Sequence, residues 1–251
     1  MSRIHDGEGG CLMTDTNRLT WLGHSTFLID TPDGKRIMID PWLSGNPSCP
    51  SSFRKIEGVT HILLTHAHFD HIGDAVPLAL ETRAQVVGIF ELCHWMGRKG
   101  IRNTLPMNKG GTQEVNGITI TMVHADHSCG ISEGDEILYG GEACGYVITL
   151  PDGFKLYHSG DTNVFSDMKL IGSLYRPDLV MLPIGSLYTM GPVEAAHAVR
   201  FLGVTEVVPM HYGTFPSLTG TPEEFRRQLT GEPFKVRVLK PGDSIEMVRK
   251  S

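Results

Sequence analysis

The sequence predicts a mixed α/β fold in which two β-sheets face one another. Many short apolar runs of strand-like composition are separated by turn signals. Two segments share one organisation, a β-hairpin around a Pro-Asp-Gly turn, and they join residues 26–30 to 36–40 and residues 146–150 to 154–158. Each hairpin runs into a strand that ends near polar residues. This repetition indicates two related halves, each supplying one sheet.

Helices are predicted between these strands. The helix candidates are residues 74–82, 91–98, 166–175, 193–201 and 222–229. Ser166 and the pair Gly191-Pro192 are typical of helix starts. Residues 129–141 are rich in glycine and acids and lack a core pattern, so we expect a mobile surface segment there. It either borders a substrate cleft or is a solvated excursion.

Chain length and polarity set the domain organisation. With 251 residues the chain can form one large α/β domain or two small ones, and we favour a single domain over residues 18–251. Residues 1–17 are polar and are expected to be a flexible N-terminus. That start lacks the basic and apolar parts of a secretory signal, which favours a cytoplasmic protein. No apolar run approaches the roughly 20 residues of a membrane span, so integral membrane association is not expected.

Charge and cysteine content narrow the range of partners. The formal charge of −6 argues against general nucleic-acid binding. A local basic pocket built from Lys99, Arg102 or Lys109 would still allow a phosphorylated small molecule. The five cysteines are scattered, odd in number and without a Cys-x-x-Cys pair, so no disulfide framework is predicted. Cys129 is expected to be a small buried or partly buried thiol.

The segment 65–71 has the sequence THAHFDH and is the strongest chemical signal in the chain. Neutral imidazoles and a carboxylate are ligands that zinc and similar divalent ions accept. In an extended chain His66 and His68 point to one side, and a turn at Asp70 and His71 presents a second pair of ligands. The alternative, a polar strand end with solvated histidines, does not account for this density of metal-binding side chains.

Two ligands leave a tetrahedral ion half coordinated, so further donors are required. Three patches, each following a strand-like run, can supply them. They are VHADHS at 123–128, YHSGDT at 157–162 and VPMHYG at 208–213. Ligands at the ends of several strands form a rigid site that can keep one position open for water. We therefore expect all three patches to belong to one metal site.

These motifs, in this order, resemble those of the metallo-β-lactamase superfamily of dinuclear hydrolases. The flanking sequences WLGHSTF at 21–27, DPW at 40–42, PIG at 183–185 and HYGTF at 211–215 are similar to one subgroup. That subgroup contains the ascorbate-6-phosphate lactonase-like and N-acylphosphatidylethanolamine phospholipase D-like proteins. The resemblance runs from about residue 21 to residue 215 and implies a four-layer αββα sandwich.

The resemblance also implies a ligand set for two ions. It assigns His66, His68 and His127 to the first ion and Asp70, His71 and His211 to the second, with Asp161 bridging both. His127 is preferred to His124 because it precedes the hydroxyl residue Ser128. His124 is then expected to contact a ligand or lie in the core. Zinc is the expected metal, with manganese or iron as alternatives.

The expected mechanism uses a hydroxide held between two ions about 3.5–4 Å apart. Asp70 would orient it. His24 and His158 are candidates for proton donation or for positioning the ligands, and Asp40 for orienting a ligand histidine. The structural alternative for all three is a hydrogen-bonded buried polar residue.

The predicted function is metal-dependent cleavage of an ester-like bond in a small molecule. A lactone or simple ester is favoured. A phosphodiesterase or phospholipase D-like hydrolase is the alternative, and a non-catalytic metal-binding module is the alternative of another class. Similar lactonases assemble from several copies, so a homo-oligomer is an open expectation.

Overall fold

The computed structural model describes residues 15–249. Its strands are β1 Asn17–Trp21, β2 Phe27–Asp30, β3 Arg36–Ile39, β4 His61–Leu63, β5 Gln85–Ile89, β6 Thr104–Met107, β7 Thr112–Val115, β8 Ile118–His124, β9 Gly130–Glu133, β10 Glu136–Tyr139, β11 Cys144–Thr149, β12 Lys155–His158, β13 Leu179–Pro183, β14 Glu206–Met210, β15 Lys235–Val236 and β16 Ser244–Met247. Its α-helices are α1 Phe69–Ile72, α2 Ala75–Thr82, α3 Phe90–Arg98, α4 Met168–Tyr175, α5 Pro192–Leu202 and α6 Pro222–Gln228, and a short 3₁₀ helix spans Ser51–Phe53.

Two seven-stranded sheets form the centre of the molecule. The first has the order β16-β1-β2-β3-β4-β5-β6, and the second has the order β15-β14-β13-β12-β11-β8-β7. In each sheet a hairpin, β2–β3 or β11–β12, is followed by three parallel strands. The two sheets therefore repeat one plan, as the two predicted hairpins indicated.

Both hairpins turn at the glycine of a Pro-Asp-Gly sequence. Gly34 and Gly153 each have φ of +83°, a conformation that a residue with a Cβ rarely adopts. The turn sets the register, in which Asp30 pairs with Arg36 in one hairpin and Thr149 with Lys155 in the other.

Apolar side chains fill three spaces between four layers. One continuous cluster joins the facing sides of the two sheets, with Phe27 and Ile39 from the first and Tyr146 from the second. It extends to Leu92 of α3 on the outer side of the first sheet. A second cluster packs α4, α5 and α6 against the other side of the second sheet. The arrangement confirms the predicted αββα sandwich.

All five predicted helices are present, but the segment 129–141 differs from its prediction. It forms a two-stranded sheet of β9 and β10 and contributes to the core, where no core pattern was expected. Ile131 is buried, and Leu138 packs partly against the core. Their alternation with acidic and glycine residues conceals the strand period over so short a run.

At the chain ends, residues 1–14 of the predicted flexible terminus lie outside the described residues, and β1 begins at Asn17. Among residues 15–249, no helix has the length and apolar character to cross a bilayer.

Candidate metal centre

The polar motifs meet at one edge of the sandwich because they follow the carboxyl ends of strands. Asp40 follows β3, the segment 65–71 follows β4, Asp161 follows β12 and His211 follows β14. Parallel neighbours bring these strand ends to the same side of each sheet. His127 arrives from the end of β8.

Three histidines form the first group. His66 Nε2 lies 3.0 Å from His68 Nδ1, and His127 Nε2 lies 3.3 Å from the same His68 nitrogen. Two ligands about 2.0–2.1 Å from a tetrahedral zinc ion are themselves separated by about 3.3–3.4 Å. The three ring nitrogens therefore converge as the ligands of one ion would.

Asp161 lies between this group and a second one. Its Oδ2 atom is 3.9 Å from His127 Nε2, 3.3 Å from His71 Nε2 and 2.9 Å from His211 Nε2. His71 Nε2 is buried and has no hydrogen-bond partner among the described residues. Such an orphan is uncommon and fits a nitrogen that binds a metal. Asp70, His71 and His211 also offer ligand atoms within 4.8 Å of one another.

The charges of this cluster favour a bound cation. Burial lowers the pKa of His66 well below its usual value, so its ring is neutral as a ligand must be. Burial acts the same way on His71, but the carboxylates of Asp161 and Asp40 outweigh it and raise its pKa. For Asp161 the opposing burial effect is overcome by His211 and His71, which lower its pKa. The buried carboxylates of Asp161 and Asp40 thus stabilise a positive charge at this position, and a divalent ion would supply such a charge.

Asp40 is completely buried and orients two parts of the ligand segment. Its Oδ2 accepts a hydrogen bond from His71 Nδ1 at 2.8 Å and from Thr65 Oγ1 at 2.6 Å. Its Oδ1 accepts from the Thr65 backbone N–H at 2.8 Å. The contact expected between Asp40 and a ligand histidine is therefore present. It fixes the ring so that Nε2 faces Asp161.

His24 orients Asp70. Its Nε2 lies 3.1 Å from Asp70 Oδ2, and its Nδ1 lies 3.1 Å from Thr214 Oγ1. Burial, with a further contribution from His211, lowers the pKa of His24 to about 4. Its ring is therefore neutral at pH 7, and its single N–H is donated to Asp70. This geometry lets His24 orient Asp70 and commits its one N–H to that contact.

His158 does not fit the proton-donor role considered for it. Its Nε2 donates to the Ser25 carbonyl at 3.0 Å, and its Nδ1 accepts from the Gly160 N–H at 3.1 Å. Both ring nitrogens are thus used by the backbone in a fully buried position. His158 instead joins the β1–β2 turn to the loop that carries Asp161.

Sequence reasoning did not identify three hydroxyl residues of the site. Thr65 Oγ1 lies 3.0 Å from His66 Nδ1, Ser25 Oγ donates to Asp161 Oδ1 at 3.3 Å, and Thr214 contacts His24. Thr65 and Ser25 stand directly beside identified residues, His66 and His24, and Thr214 stands three residues after His211 in the HYGTF motif. That proximity was the available signal.

The positions of His124 and Cys129 can be compared with what was expected of them. His124 is exposed and lies 3.2 Å from Lys109 Nζ, away from the ligand group that His127 joins. The contacts of His127 with His68 and Asp161 support the preference for His127, which stays a prediction. The expectation for His124 is wrong, because its side chain is exposed and contacts Lys109 and Phe165 instead of a ligand candidate or the core. Cys129 is buried, as expected, and its Sγ donates to the Gly140 carbonyl.

Known proteins are similar to this chain in sequence and in fold. A family model described as a beta-lactamase superfamily domain matches residues 35–212. A UPF0173 metal-dependent hydrolase from Koribacter versatilis is 52% identical over 227 residues, covering 90% of this chain and 97% of the relative. One from Solibacter usitatus is 53% identical over 228 residues, covering 91% and 99%.

A solved structure extends the likeness to three dimensions. Igni18, described as a novel metallo hydrolase from the hyperthermophilic archaeon Ignicoccus hospitalis, is similar with a TM-score of 0.82 and 35% identity. The similarity covers 94% of this chain and 100% of the archaeal chain.

Proposed function

The chain belongs to the UPF0173 metal-dependent hydrolase family of the beta-lactamase superfamily, and from this premise we propose that it hydrolyses a small-molecule ester or lactone with two divalent ions. Zinc suits the histidine-rich donor set, and manganese and iron are the alternatives. The proposed ligands are His66, His68 and His127 for one ion, and Asp70, His71 and His211 for the other. Asp161 is proposed to bridge them.

One observation carries the dinuclear proposal. The Oδ2 atom of Asp161 faces nitrogens of both ligand groups, His127 on one side and His71 and His211 on the other. A single carboxylate oxygen in that position supports a bridging ligand. When bound, the two ions would activate a water molecule and polarise the bond to be cleaved.

The residues of this chain would then orient the reactants. Burial would raise the pKa of Asp70, but the hydrogen bond from His24 and the charge of His71 lower it to about 2. A carboxylate this acidic accepts hydrogen bonds at neutral pH without retaining a proton. Asp70 would therefore hold the attacking water in line, and His24 would hold Asp70.

Two of the three basic residues considered for a phosphate pocket have other partners. Lys99 pairs with Glu133, and Lys109 pairs with Glu142. Charge-assisted contacts from Lys or Arg are the usual means of holding a phosphodiester. These pairings favour the ester or lactone, in keeping with the lactonase-like subgroup, over the phosphodiesterase or phospholipase D-like alternative.

The test compares the wild type with Asp161→Asn. The matched control is Asp135→Asn, which changes an exposed carboxylate in the β9–β10 turn. We expect two metal ions per chain by mass spectrometry in the wild type and in the control, and fewer in Asp161→Asn. Hydrolysis of a lactone and ester panel should fall by more than the roughly 10–100-fold that follows loss of an outer hydrogen bond to a ligand.

Three results would contradict the proposal. Failure of the wild type to bind metal after reconstitution with zinc, manganese or iron would exclude the mechanism. Two bound ions without any hydrolysis would favour a non-catalytic metal-binding module. Faster cleavage of bis(p-nitrophenyl) phosphate than of every lactone and ester would replace the proposed substrate class with phosphodiesters.

A further inference from the structure

An aromatic cluster stands beside the second ligand group. The ring centroids of Trp42 and Phe69 are 5.9 Å apart, those of Trp42 and Phe215 are 5.7 Å apart, and those of Phe69 and Phe215 are 6.5 Å apart. Trp42 and Phe215 also meet the ring of His24 edge-on, at 5.2 and 5.6 Å. We call Trp42, Phe69 and Phe215 the aromatic wall. His24 contacts both the aromatic wall and Asp70, so the wall lies next to the metal centre.

The wall is held rigid from behind. Trp42 is buried, and the positions that a Cβ would take at Gly45 and Gly73 lie 2.7 Å from its Nε1 and 2.8 Å from its Cδ1. Only glycine allows the backbone to approach the indole this closely. Phe69 is the first residue of α1, whose backbone N–H groups at His71 and Ile72 both donate to the His68 carbonyl. The rings are therefore placed before any ligand arrives.

Phe69 remains 58% exposed in spite of these contacts. In the chain it stands between His68 and Asp70, one residue from each ligand group. Ligand sites combine apolar and aromatic walls with a few polar groups, and this exposed ring stands beside such groups and packs on two further aromatic rings. Because of its two neighbours, a molecule that covers this ring also reaches the ligand atoms.

We propose that the substrate carries an apolar alkyl or aryl group that packs on the aromatic wall while its ester or lactone carbonyl lies at the metal centre. This inference rests on the proposed hydrolase function. It adds the chemical class of the substrate, namely an ester or lactone of a hydrophobic carboxylic acid. Phe69 is then a specificity-determining residue, because it supplies the exposed part of the wall.

Binding of product-like acids tests the inference without turnover. The dissociation constants of acetate, butyrate, hexanoate and phenylacetate are measured by calorimetry on the zinc-loaded protein. Affinity should rise along the series, by up to about fourfold for each buried methylene group. In Phe69→Ala, binding of hexanoate and phenylacetate should weaken about tenfold, whereas binding of acetate should change little.

Phe90→Ala is the matched control. Phe90 is also the first residue of a helix, α3, and is also 58% exposed, but it makes no ring contact with the wall. This variant should bind all four acids like the wild type. Zinc content measured on each sample ensures that a change in binding does not reflect a lost ion.

The outcomes separate this inference from the proposed function. Equal affinity for all four acids, or equal losses in Phe69→Ala and Phe90→Ala, would overturn the inference even if the enzyme hydrolyses esters. Chain-length-dependent binding that Phe69→Ala abolishes would support it even if no ester is cleaved. A second copy of the chain could cover the ring instead of a substrate. In that case Phe69→Ala would lower the molecular mass measured by light scattering, and the wild type would show no preference for long acids. That pair of results would also overturn the inference.

Discussion

Three residues of the metal centre have left-handed backbone conformations although none is glycine. His24, Asp40 and His211 have φ values of 55°, 47° and 54°. Such residues cost about 1–3 kcal/mol each and persist only where their surroundings determine them. Here the His211 N–H and the Trp21 indole N–H both donate to the His24 carbonyl. The scaffold thus fixes the backbone that carries these side chains.

At this scale Asp40 allows a sharp prediction. Asp40→Asn keeps the shape of the side chain but replaces one of the two acceptor oxygens that serve Thr65 and His71. Metal affinity should fall about 10–100-fold in a competition titration with a chromogenic chelator. The free energy of unfolding should also fall, by about 1–3 kcal/mol.

The control for this change is Asp30→Asn. Asp30 is a buried carboxylate that pairs with Arg18 and Arg36, away from the ligand residues. It should lower stability without changing metal affinity. Equal metal affinity in Asp40→Asn and the wild type would contradict the orienting role of Asp40.

The sequence was sufficient to predict which residues come together at the metal centre. It was insufficient to predict the role of some of them. The ligand candidates follow strands whose ends must meet, so motif order predicted their assembly. The role of His158 depends on which backbone groups its two nitrogens reach. The Gly160 N–H belongs to the loop that directly follows His158, but the Ser25 carbonyl is 133 residues away in the chain and meets His158 only in the folded structure. Spacing along the chain carries no information about such a contact.

At the scale of elements, β4 joins both sheets through its first residue. His61 is buried; its Nδ1 lies 2.8 Å from Thr60 Oγ1, and its Nε2 lies 3.3 Å from Asn116 Nδ2 in the β7–β8 turn. Thr60 Oγ1 donates to the Arg36 carbonyl. The neutral ring therefore donates from Nδ1 and accepts at Nε2. A second proton on the His61 ring would bring its Nε2–H against the Nδ2–H of Asn116, and neither group can accept a hydrogen bond.

This contact predicts a pH-dependent contribution to stability. Burial, aided by the nearby charge of Lys35, lowers the pKa of His61 in the folded state. In the unfolded chain the His61 ring has its ordinary pKa of about 6.5 and binds a proton more readily than in the folded state. The contribution of His61 to the free energy of unfolding is therefore lost as the pH falls through that value. In urea unfolding of metal-free protein, the advantage of the wild type over His61→Gln should shrink between pH 7.5 and pH 5.

The exposed His94 in α3 provides the comparison. The difference between the wild type and His94→Gln should stay constant over the same pH range. A constant difference for His61→Gln as well would show that the His61 ring has no role in the acid sensitivity of the fold.

Elements with a clear pattern were predictable, and β9 and β10 were not. The helices carry start signals and an apolar face long enough to recognise, as at Pro192–Leu202. The strands Gly130–Glu133 and Glu136–Tyr139 are four residues each and mix acids with exposed Ile137 and Tyr139. Their pairing with each other and their packing against the core distinguish them from a loop, and neither is visible in so short a pattern.

For the molecule as a whole, the second sheet supports the ligand segment of the first. The Tyr146 hydroxyl donates to the Leu64 carbonyl at 2.7 Å, and the Cys144 N–H donates to the Thr65 carbonyl at 3.0 Å. One side chain and one backbone N–H of the second sheet thus donate to the segment that leads into His66. The metal centre therefore depends on both halves being packed together.

The reactivity of the buried cysteine thiols reports how tightly the two halves are packed. Cys49, Cys93, Cys129 and Cys144 are all buried, and burial raises the pKa of Cys49 and Cys129 to about 11, of Cys93 to about 12 and of Cys144 further. Because the thiolate is the reactive form, these thiols should be inert in the folded protein. With Cys11→Ser, Ellman's reagent should detect no thiol at pH 8 in the native state and all four in guanidinium chloride. Rapid reaction of any thiol in the native protein would contradict the closed core.

The pairing of the last strand with the first has a consequence for biosynthesis. β16 lies beside β1, with Asn17 opposite Met247, so β1 lacks its partner strand until residues 244–247 have left the ribosome. Bare strand edges recruit other chains. During translation, when residues emerge at about 5–20 per second, β1 is therefore open to pairing with other chains until β16 has been synthesised. A premature stop codon that removes only β16 would leave every metal ligand in place and still yield an aggregation-prone product.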